Sequence, residues 1–196
     1  MDSALAVSEK ILEKYRYINV EHHDWWDCEY ECFREDMKAK GIDVERMYFS
    51  GFWSQGDGAC FEGGFDDVRL FIDSHFKPDE YPMIRKLLDA GGSVVINCKH
   101  SGHYYHENCT SFSIGADEFW HCMEAPTDFH EQVVKSMDEK LSTEVADFEK
   151  ASIEIFKNHM RDLYRRLETE YDHLTSDEAV AETVLANDLN DEDEGE

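Results

Sequence analysis

The chain has 196 residues, of which 41% are hydrophobic and 13% aromatic, and its formal net charge is −26. This composition excludes a wholly disordered chain, and the charge argues against direct binding to nucleic-acid phosphates or to anionic lipid. No stretch of the sequence approaches the roughly 20 apolar residues of a membrane helix, and residues 1–10 lack the basic and then apolar pattern of a signal peptide. We therefore expect a cytoplasmic protein without a membrane partner.

The N-terminal part of the chain predicts two helices. Apolar residues recur at near-helical spacing in residues 4–17, and the pattern continues over residues 25–37 until Gly41 ends it. Both helices precede the first strand.

A glycine-punctuated hairpin is predicted over residues 49–63. Residues 44–53 are rich in β-branched and aromatic side chains, and residues 59–61 resume that pattern after Gly56-Asp57-Gly58. Glycines on both sides of an aspartate permit the positive φ angles of a tight turn. The next segments, residues 66–75 and 79–90, predict two short helices separated near Pro78.

A second antiparallel strand pair is predicted over residues 93–102 and 109–114. Residues 127–194 then contain no glycine or proline, which indicates one long helix or two collinear helices. Its apolar stripe recurs every three to five residues, at Met137, Leu141, Val145, Phe148, Ile155 or Phe156, Met160, Leu163, Leu167, Tyr171 and Leu174. Such a stripe must pack against another element, and the sheet is the obvious partner.

The last predicted helix follows Thr175-Ser176-Asp177-Glu178, which has the pattern of a capping box. These elements together predict an α+β fold, in which a small antiparallel sheet of two hairpins packs against a long C-terminal helix and several shorter helices. We expect a single domain over residues 1–190. Residues 191–196, five of which are acidic, are predicted to form a disordered tail.

Six cysteines are spread along the sequence, and we expect all of them to be free thiols, since a chain of this length without an export signal occupies a reducing compartment. Two of them share one face of a predicted helix, at a spacing that differs from the C-x-x-C of zinc and redox sites. The six are Cys28, Cys32, Cys60, Cys98, Cys109 and Cys122.

The first candidate site is the predicted hairpin turn. Ser54, Gln55 and Asp57 are concentrated at a bend flanked by aromatic residues such as Trp53. This layout is suited to presenting an amide and a carboxylate to a ligand. The alternative is turn chemistry alone, in which the aspartate accepts hydrogen bonds from neighbouring backbone amides.

The second candidate site is residues 98–109, which contain three histidines and two cysteines. Alternation along an extended strand separates these side chains, so that only a bend at Gly102 would gather them. We therefore predict no metal centre and no cofactor, and zinc is the alternative. Its ligands would come from Cys98, His100, His103, His106 and Cys109.

The sequence lacks the common motifs for phosphate-loop, α/β-hydrolase and dinucleotide sites. We assign no catalytic residue and do not expect an enzyme. The alternative is a small hydrolase, or a protein that binds a small molecule, with a pocket between the two hairpins. There Asp57, His103 or His106 would act as general base, and Gln55 would orient the substrate.

Three blocks of the sequence carry a resemblance to a known family: residues 48–63 (YFSGFWSQGDGACFEG), 102–109 (GHYYHENC) and 170–188 (EYDHLTSDEAVAETVLAND). Together they cover about a fifth of the chain. The chain resembles uncharacterised, mostly bacteriophage and prophage proteins that often carry the label antitoxin of a toxin–antitoxin stability system. The resemblance implies a phage context, without assigned catalytic or binding residues.

These observations lead to a hypothesis of protein binding. A small acidic phage protein is expected to neutralise a host or rival protein with a basic surface, such as a toxin, a nuclease or a defence complex. Its acidic surface would occupy a groove that otherwise holds nucleic acid. The sequence does not predict an oligomeric state. The predicted binding residues are Trp53, Ser54, Gln55, Asp57, Cys60, His100, His103, Tyr105 and His106.

Overall fold

The computed structural model describes residues 7–22, 24–116 and 128–189, so that Cys122 and the predicted acidic tail lie outside the described residues. Its fold is α+β. The helices and strands are, in chain order, α1 (Glu9–Lys14), α2 (Asp27–Lys38), β1 (Ile42–Phe49), β2 (Ala59–Phe65), α3 (Val68–His75), α4 (Pro82–Asp89), β3 (Val94–His100), β4 (Thr110–Ala116), α5 (Asp128–Leu174) and α6 (Asp177–Ala186).

The chain divides into two compact units. The larger unit is Cys32–Tyr164, and it contains the whole sheet. The smaller unit combines Met1–Glu31 with Arg165–Glu196. No helix within the described ranges has both the length and the apolar composition needed to cross a membrane.

The sheet of the larger unit has four antiparallel strands in the order β1-β2-β3-β4. Along β3, Val94, Ile96 and Cys98 are buried, whereas Val95 and Asn97 between them are exposed. This alternation is the pattern of a sheet with one covered face and one solvent face. The two predicted strand pairs are therefore confirmed, and they form one continuous sheet.

The centre of the core of the larger unit is Phe156 on α5, whose side chain is fully buried. Four phenylalanine rings of the sheet and α3 surround it, with centroids at 5.8 Å for Phe61, 6.0 Å for Phe65 and Phe71, and 6.1 Å for Phe112. The predicted packing of the sheet against the long helix is confirmed by these contacts.

The first predicted strand is too long. The aromatic run indicated a strand through Trp53, but β1 ends at Phe49, and residues 50–58 form a loop. Gly51 has a φ of +113°, which an extended strand does not adopt. A loop aspartate, Asp57, also binds backbone amides that a strand would use for pairing. Aromatic content was therefore misleading, because Phe52 and Trp53 belong to a loop.

Helix α4 has an N-terminus that its own sequence does not cap. The preceding residue, Tyr81, has a φ of 57° and its side chain makes no capping hydrogen bond, while Pro82 has no amide proton to satisfy. Instead, Glu144 Oε1 on α5 accepts hydrogen bonds from the amides of Met83 at 2.7 Å and Ile84 at 2.8 Å. A carboxylate at this position also interacts favourably with the helix dipole.

In the smaller unit, α1 is shorter than the predicted helix over residues 4–17. It begins after Ser8, whose side chain accepts a hydrogen bond from the amide of Ile11. The start of α6 is confirmed, although the capping residue is Ser176, which accepts from the amide of Ala179 at 3.2 Å. Because the residue three positions after this cap is an alanine, the reciprocal half of the predicted capping box is absent at this cap.

Candidate functional site

Two loops at the same end of the sheet lie against each other. They are the β1–β2 loop, residues 50–58, and the β3–β4 loop, residues 101–109. A Cβ atom added to Gly56, which has a φ of +95°, would lie 2.3 Å from Cδ1 of Tyr104, and one added to Gly58 would lie 2.5 Å from the carbonyl oxygen of Tyr105. Such approaches leave room only for glycine. We name the exposed side of this pair of loops the two-loop surface.

The β1–β2 loop is held by the side chain of Asp57. Its Oδ2 accepts hydrogen bonds from the amides of Trp53 at 2.9 Å and Ser54 at 2.5 Å. The amide of Asp57 in turn donates to the carbonyl of Ser54 at 3.1 Å. These bonds are the turn chemistry that was one of the two interpretations of this residue, and they commit Oδ2 to the loop.

A cluster of three rings joins the β3–β4 loop to the end of the sheet. The ring centroids of Tyr48, His100 and Tyr105 lie 5.2 Å apart in each of the three pairs. His100 Nε2 donates to the carbonyl of Tyr104 at 3.2 Å, and its backbone amide donates to Glu62 Oε1 at 3.1 Å. His100 and Tyr105, two of the predicted binding residues, therefore take part in positioning the β3–β4 loop.

The two-loop surface exposes large aromatic side chains. Trp53 is 76% exposed and Tyr104 is 49% exposed. Three polar residues of the predicted site, Ser54, Gln55 and His103, are exposed as well. Four of the nine predicted binding residues are thus exposed on these loops, and exposed Tyr104 lies beside them although the predicted set omitted it.

A polar network connects the β3–β4 loop to α5. Arg161 Nε donates to Glu107 Oε1 at 3.2 Å, and Arg161 Nη1 pairs with Glu154 at 2.9 Å. These hydrogen bonds, first to Glu154 and then to Glu107, raise the pKa of Arg161. Lys157 Nζ donates to Asn108 Oδ1 at 3.3 Å. These residues are absent from the predicted binding set, because the basic partners lie on α5, far along the chain from the loop.

Two cysteines of the candidate sites are buried: Cys60, a predicted binding residue, and Cys98, a ligand in the zinc alternative. Cys60 is 0% exposed and Cys98 is 1% exposed, so neither reaches the two-loop surface. Burial raises the pKa of each thiol to about 12, which keeps both protonated near neutral pH. Within the described part of the chain, no group of three or more histidine, cysteine, aspartate or glutamate residues is arranged to hold a metal ion.

A concave region of about 770 Å³ lies away from the two loops, between the start of α4 and α5. Four carboxylates line it together with Lys140 and the ring of Tyr81; they are Glu80, Glu139, Glu144 and Asp147. Glu144 is already committed to the N-terminus of α4. The excess of carboxylates makes this region acidic, in keeping with the net charge of the chain.

A pair of histidines links α3 to α5. His75 Nδ1 donates to the carbonyl of Phe71 at 2.8 Å, which leaves its Nε2 as the acceptor of a hydrogen bond from His159 Nε2 at 3.0 Å. Burial lowers the pKa of His75, and the nearby charge of Lys40 lowers it further, against an opposing effect of the Phe71 hydrogen bond. His75 is therefore neutral in the folded protein at pH 7.

This arrangement predicts that stability depends on pH through His75. Because its pKa is lower in the folded protein than in the unfolded chain, stability is fully present above about pH 6.5 and is lost as the pH falls through the folded-state pKa. Urea unfolding at a series of pH values between about 8 and 5 measures this loss. His75→Gln should lose less stability over that range, whereas His103→Gln, at an exposed position, should lose as much as the wild type. Equal losses in both variants would contradict the assignment.

The fold and the site together define an α+β protein that presents one surface from two adjoining sheet loops. The family model described as Domain of unknown function (DUF8835) matches residues 25–177, so the chain belongs to this family. The matched residues include both loops. Neither the comparison with curated proteins nor the comparison with solved structures found a match.

Proposed function

We propose that the protein binds another protein through the two-loop surface and neutralises it. The observation that carries this proposal is the exposure of Trp53 and Tyr104 on two loops that pack against each other. Tryptophan and tyrosine are enriched among the residues that dominate the free energy of protein–protein binding. An exposed aromatic surface of this kind is typical of an interaction site.

The support of these loops favours binding with little loss of conformational entropy. Asp57 holds the β1–β2 loop through two backbone amides, and the clustered rings of Tyr48, His100 and Tyr105 hold the other loop. A preorganised surface loses less entropy on binding than a flexible one, so more of the contact energy appears as affinity.

The charge of the chain indicates the chemistry of the partner. A net charge of −26 favours encounter with a basic protein and disfavours nucleic acid itself. We infer a partner with a basic surface, such as a nuclease, a toxin or a defence complex. On the sequence resemblance, the protein would be a cytoplasmic, antitoxin-like or anti-defence inhibitor in a cell that carries the phage or prophage.

Two features favour binding over hydrolysis at this site. Asp57, the candidate general base, uses Oδ2 to accept two backbone hydrogen bonds. Cys60, the predicted binding residue that a hydrolase could use as a nucleophile only as a thiolate, is buried as a thiol. The hydrolase alternative therefore receives no support from either residue, and we do not propose it.

Trp53→Ala is expected to weaken partner binding at least about thirtyfold, because truncation of an aromatic hot spot typically costs about 2 kcal/mol or more. The tagged wild type would first be used to capture proteins from host lysate at low and moderate salt, with identification by mass spectrometry. Affinity would then be measured with the purified partner. Binding to a basic partner should weaken as the salt concentration rises.

Leu70→Ala is the matched control, since Leu70 is an apolar side chain that is 40% exposed on α3 and lies outside the two loops. The affinity of the Leu70→Ala protein for the partner should equal that of the wild type. A partner that binds Trp53→Ala as tightly as the wild type would show that another surface is used. Failure to recover any stoichiometric partner at either salt concentration would count against the proposed function as a whole.

A further inference from the structure

One ring nitrogen of the β3–β4 loop has two neighbours that require opposite protonation of it. His106 Nδ1 lies 3.2 Å from the backbone nitrogen of Asn108, from which it accepts a hydrogen bond. The same Nδ1 lies 2.9 Å from Glu107 Oε2. An amide N–H needs a lone pair on Nδ1, whereas a carboxylate oxygen needs a proton there. Only one of these hydrogen bonds is formed at a time.

The carboxylate of Glu107 is fixed in this position. Its side chain is only 15% exposed, and Arg161 Nε on α5 donates to its other oxygen at 3.2 Å. A carboxylate held close to an imidazole lone pair is repelled by it, but attracts the ring once Nδ1 carries a proton. The competition at Nδ1 therefore persists in the folded loop.

Other charged groups near the β3–β4 loop form hydrogen bonds or ion pairs with residues other than His106. From α5, Lys157 binds Asn108 Oδ1 and Glu154 binds Arg161. From the β1–β2 loop, Asp57 uses Oδ2 to accept from the amides of Trp53 and Ser54. Glu107, by contrast, contacts His106 Nδ1 directly. Protonation of the ring therefore changes mainly the hydrogen bonds that Nδ1 forms with the Asn108 amide and the Glu107 carboxylate.

The ring also contacts the opposite loop. A Cβ atom added to Gly58 would lie 3.4 Å from both Cα and Cδ2 of His106. A change in the orientation of this imidazole therefore reaches the line along which the two loops pack. Such a change would alter the contact between His106 and Gly58 of the β1–β2 loop.

We propose that His106 is a proton-dependent switch that regulates the two-loop surface. When the ring is neutral, Nδ1 accepts from the Asn108 amide and the short 3₁₀ turn Glu107–Cys109 is capped. When the ring is protonated, Nδ1 donates to Glu107 and the Asn108 amide loses its acceptor. Histidine is the side chain whose charge ordinarily changes between about pH 5 and pH 8. The effect on a partner rests on the proposed function, but the exchange of hydrogen bonds does not.

The test is a pH titration of the isotope-labelled full chain by NMR, from about pH 8 to pH 5. The Asn108 amide resonance and the imidazole nitrogens of His106 would be followed together. We expect Nδ1 to be unprotonated at the upper pH, and the Asn108 amide to lose its hydrogen-bonded shift in step with protonation of His106. Hydrogen exchange of the Asn108 amide, corrected for its intrinsic pH dependence, should lose protection over the same interval.

His106→Asn is the informative variant, because asparagine in the capping position still accepts a hydrogen bond from the amide two residues on but does not titrate. Its Asn108 amide should be insensitive to this pH change. His103→Asn, in the same loop, should retain the wild-type titration. A proton on Nδ1 already present at pH 8, or an Asn108 titration that survives in His106→Asn, would overturn the switch. Both readouts are independent of any partner, so a failed partner search would leave this result intact.

Discussion

Phe156→Ala is expected to lower the free energy of unfolding by about 3–5 kcal/mol, which is the usual cost of truncating a fully buried phenylalanine. Phe156 is 0% exposed, and its ring contacts those of Phe61, Phe65, Phe71 and Phe112. Truncation removes apolar contacts with the sheet and with α3 at once, and leaves a cavity among rigid rings that cannot all move into it. Equilibrium urea or guanidinium unfolding followed by circular dichroism measures the change.

Trp53→Ala is the matched control for this experiment. It removes a still larger aromatic side chain, but from a position that is 76% exposed, so its effect on the free energy of unfolding should stay within about 0.5 kcal/mol. The same control establishes that any loss of partner binding in Trp53→Ala does not result from unfolding. A Phe156→Ala protein as stable as the wild type would refute the packing of α5 against the sheet.

Gly58→Ala is expected to separate the two loops and to abolish most partner binding. The new Cβ atom would lie 2.5 Å from the backbone carbonyl oxygen of Tyr105, and a backbone atom cannot move aside as a flexible side chain can. Relief of such overpacking typically costs about 1–3 kcal/mol. We expect destabilisation of that order together with a changed environment for Tyr104 and Tyr105, measurable by near-ultraviolet circular dichroism and by the affinity for the partner.

Gly115→Ala provides a glycine-to-alanine control on β4. A Cβ atom added there has no neighbouring heavy atom within 4 Å, so stability and binding should stay close to those of the wild type. If Gly58→Ala and Gly115→Ala behave alike, the two loops do not pack as tightly as their geometry indicates. If Gly58→Ala is destabilised but binds the partner normally, the apposition of the loops supports the fold and not the proposed surface.

The fold was predictable because its strongest patterns are local. The absence of glycine and proline over residues 127–194, with a regular apolar stripe, predicted α5, and β-branched or aromatic runs predicted both strand pairs. Strand β1 was extended too far because Phe52 and Trp53 have strand-like side chains but lie in a loop. Residue type alone does not show that Asp57 will take the backbone amides that pairing requires.

The candidate site was only partly predictable. The two loops were identified from glycine and histidine content, but their contact depends on the strand order, which local patterns do not determine. The roles of Glu107 and Arg161 depend on how α5 lies along the larger unit, a long-range relation of the same kind. The burial of Cys60 was missed because β2 is buried at Ala59, Cys60 and Phe61 in succession, without the alternation that marks an exposed face.

The cap that Glu144 provides for α4 has a consequence for the order in which the chain folds. An isolated helix as short as Pro82–Asp89 is unstable in water, and its first amides find their acceptor only in a residue about 60 positions further on. During synthesis, α4 therefore emerges from the ribosome well before the group that completes it. We infer that its first turn stays unformed on the nascent chain, and that it becomes ordered only when α5 has been translated and has docked.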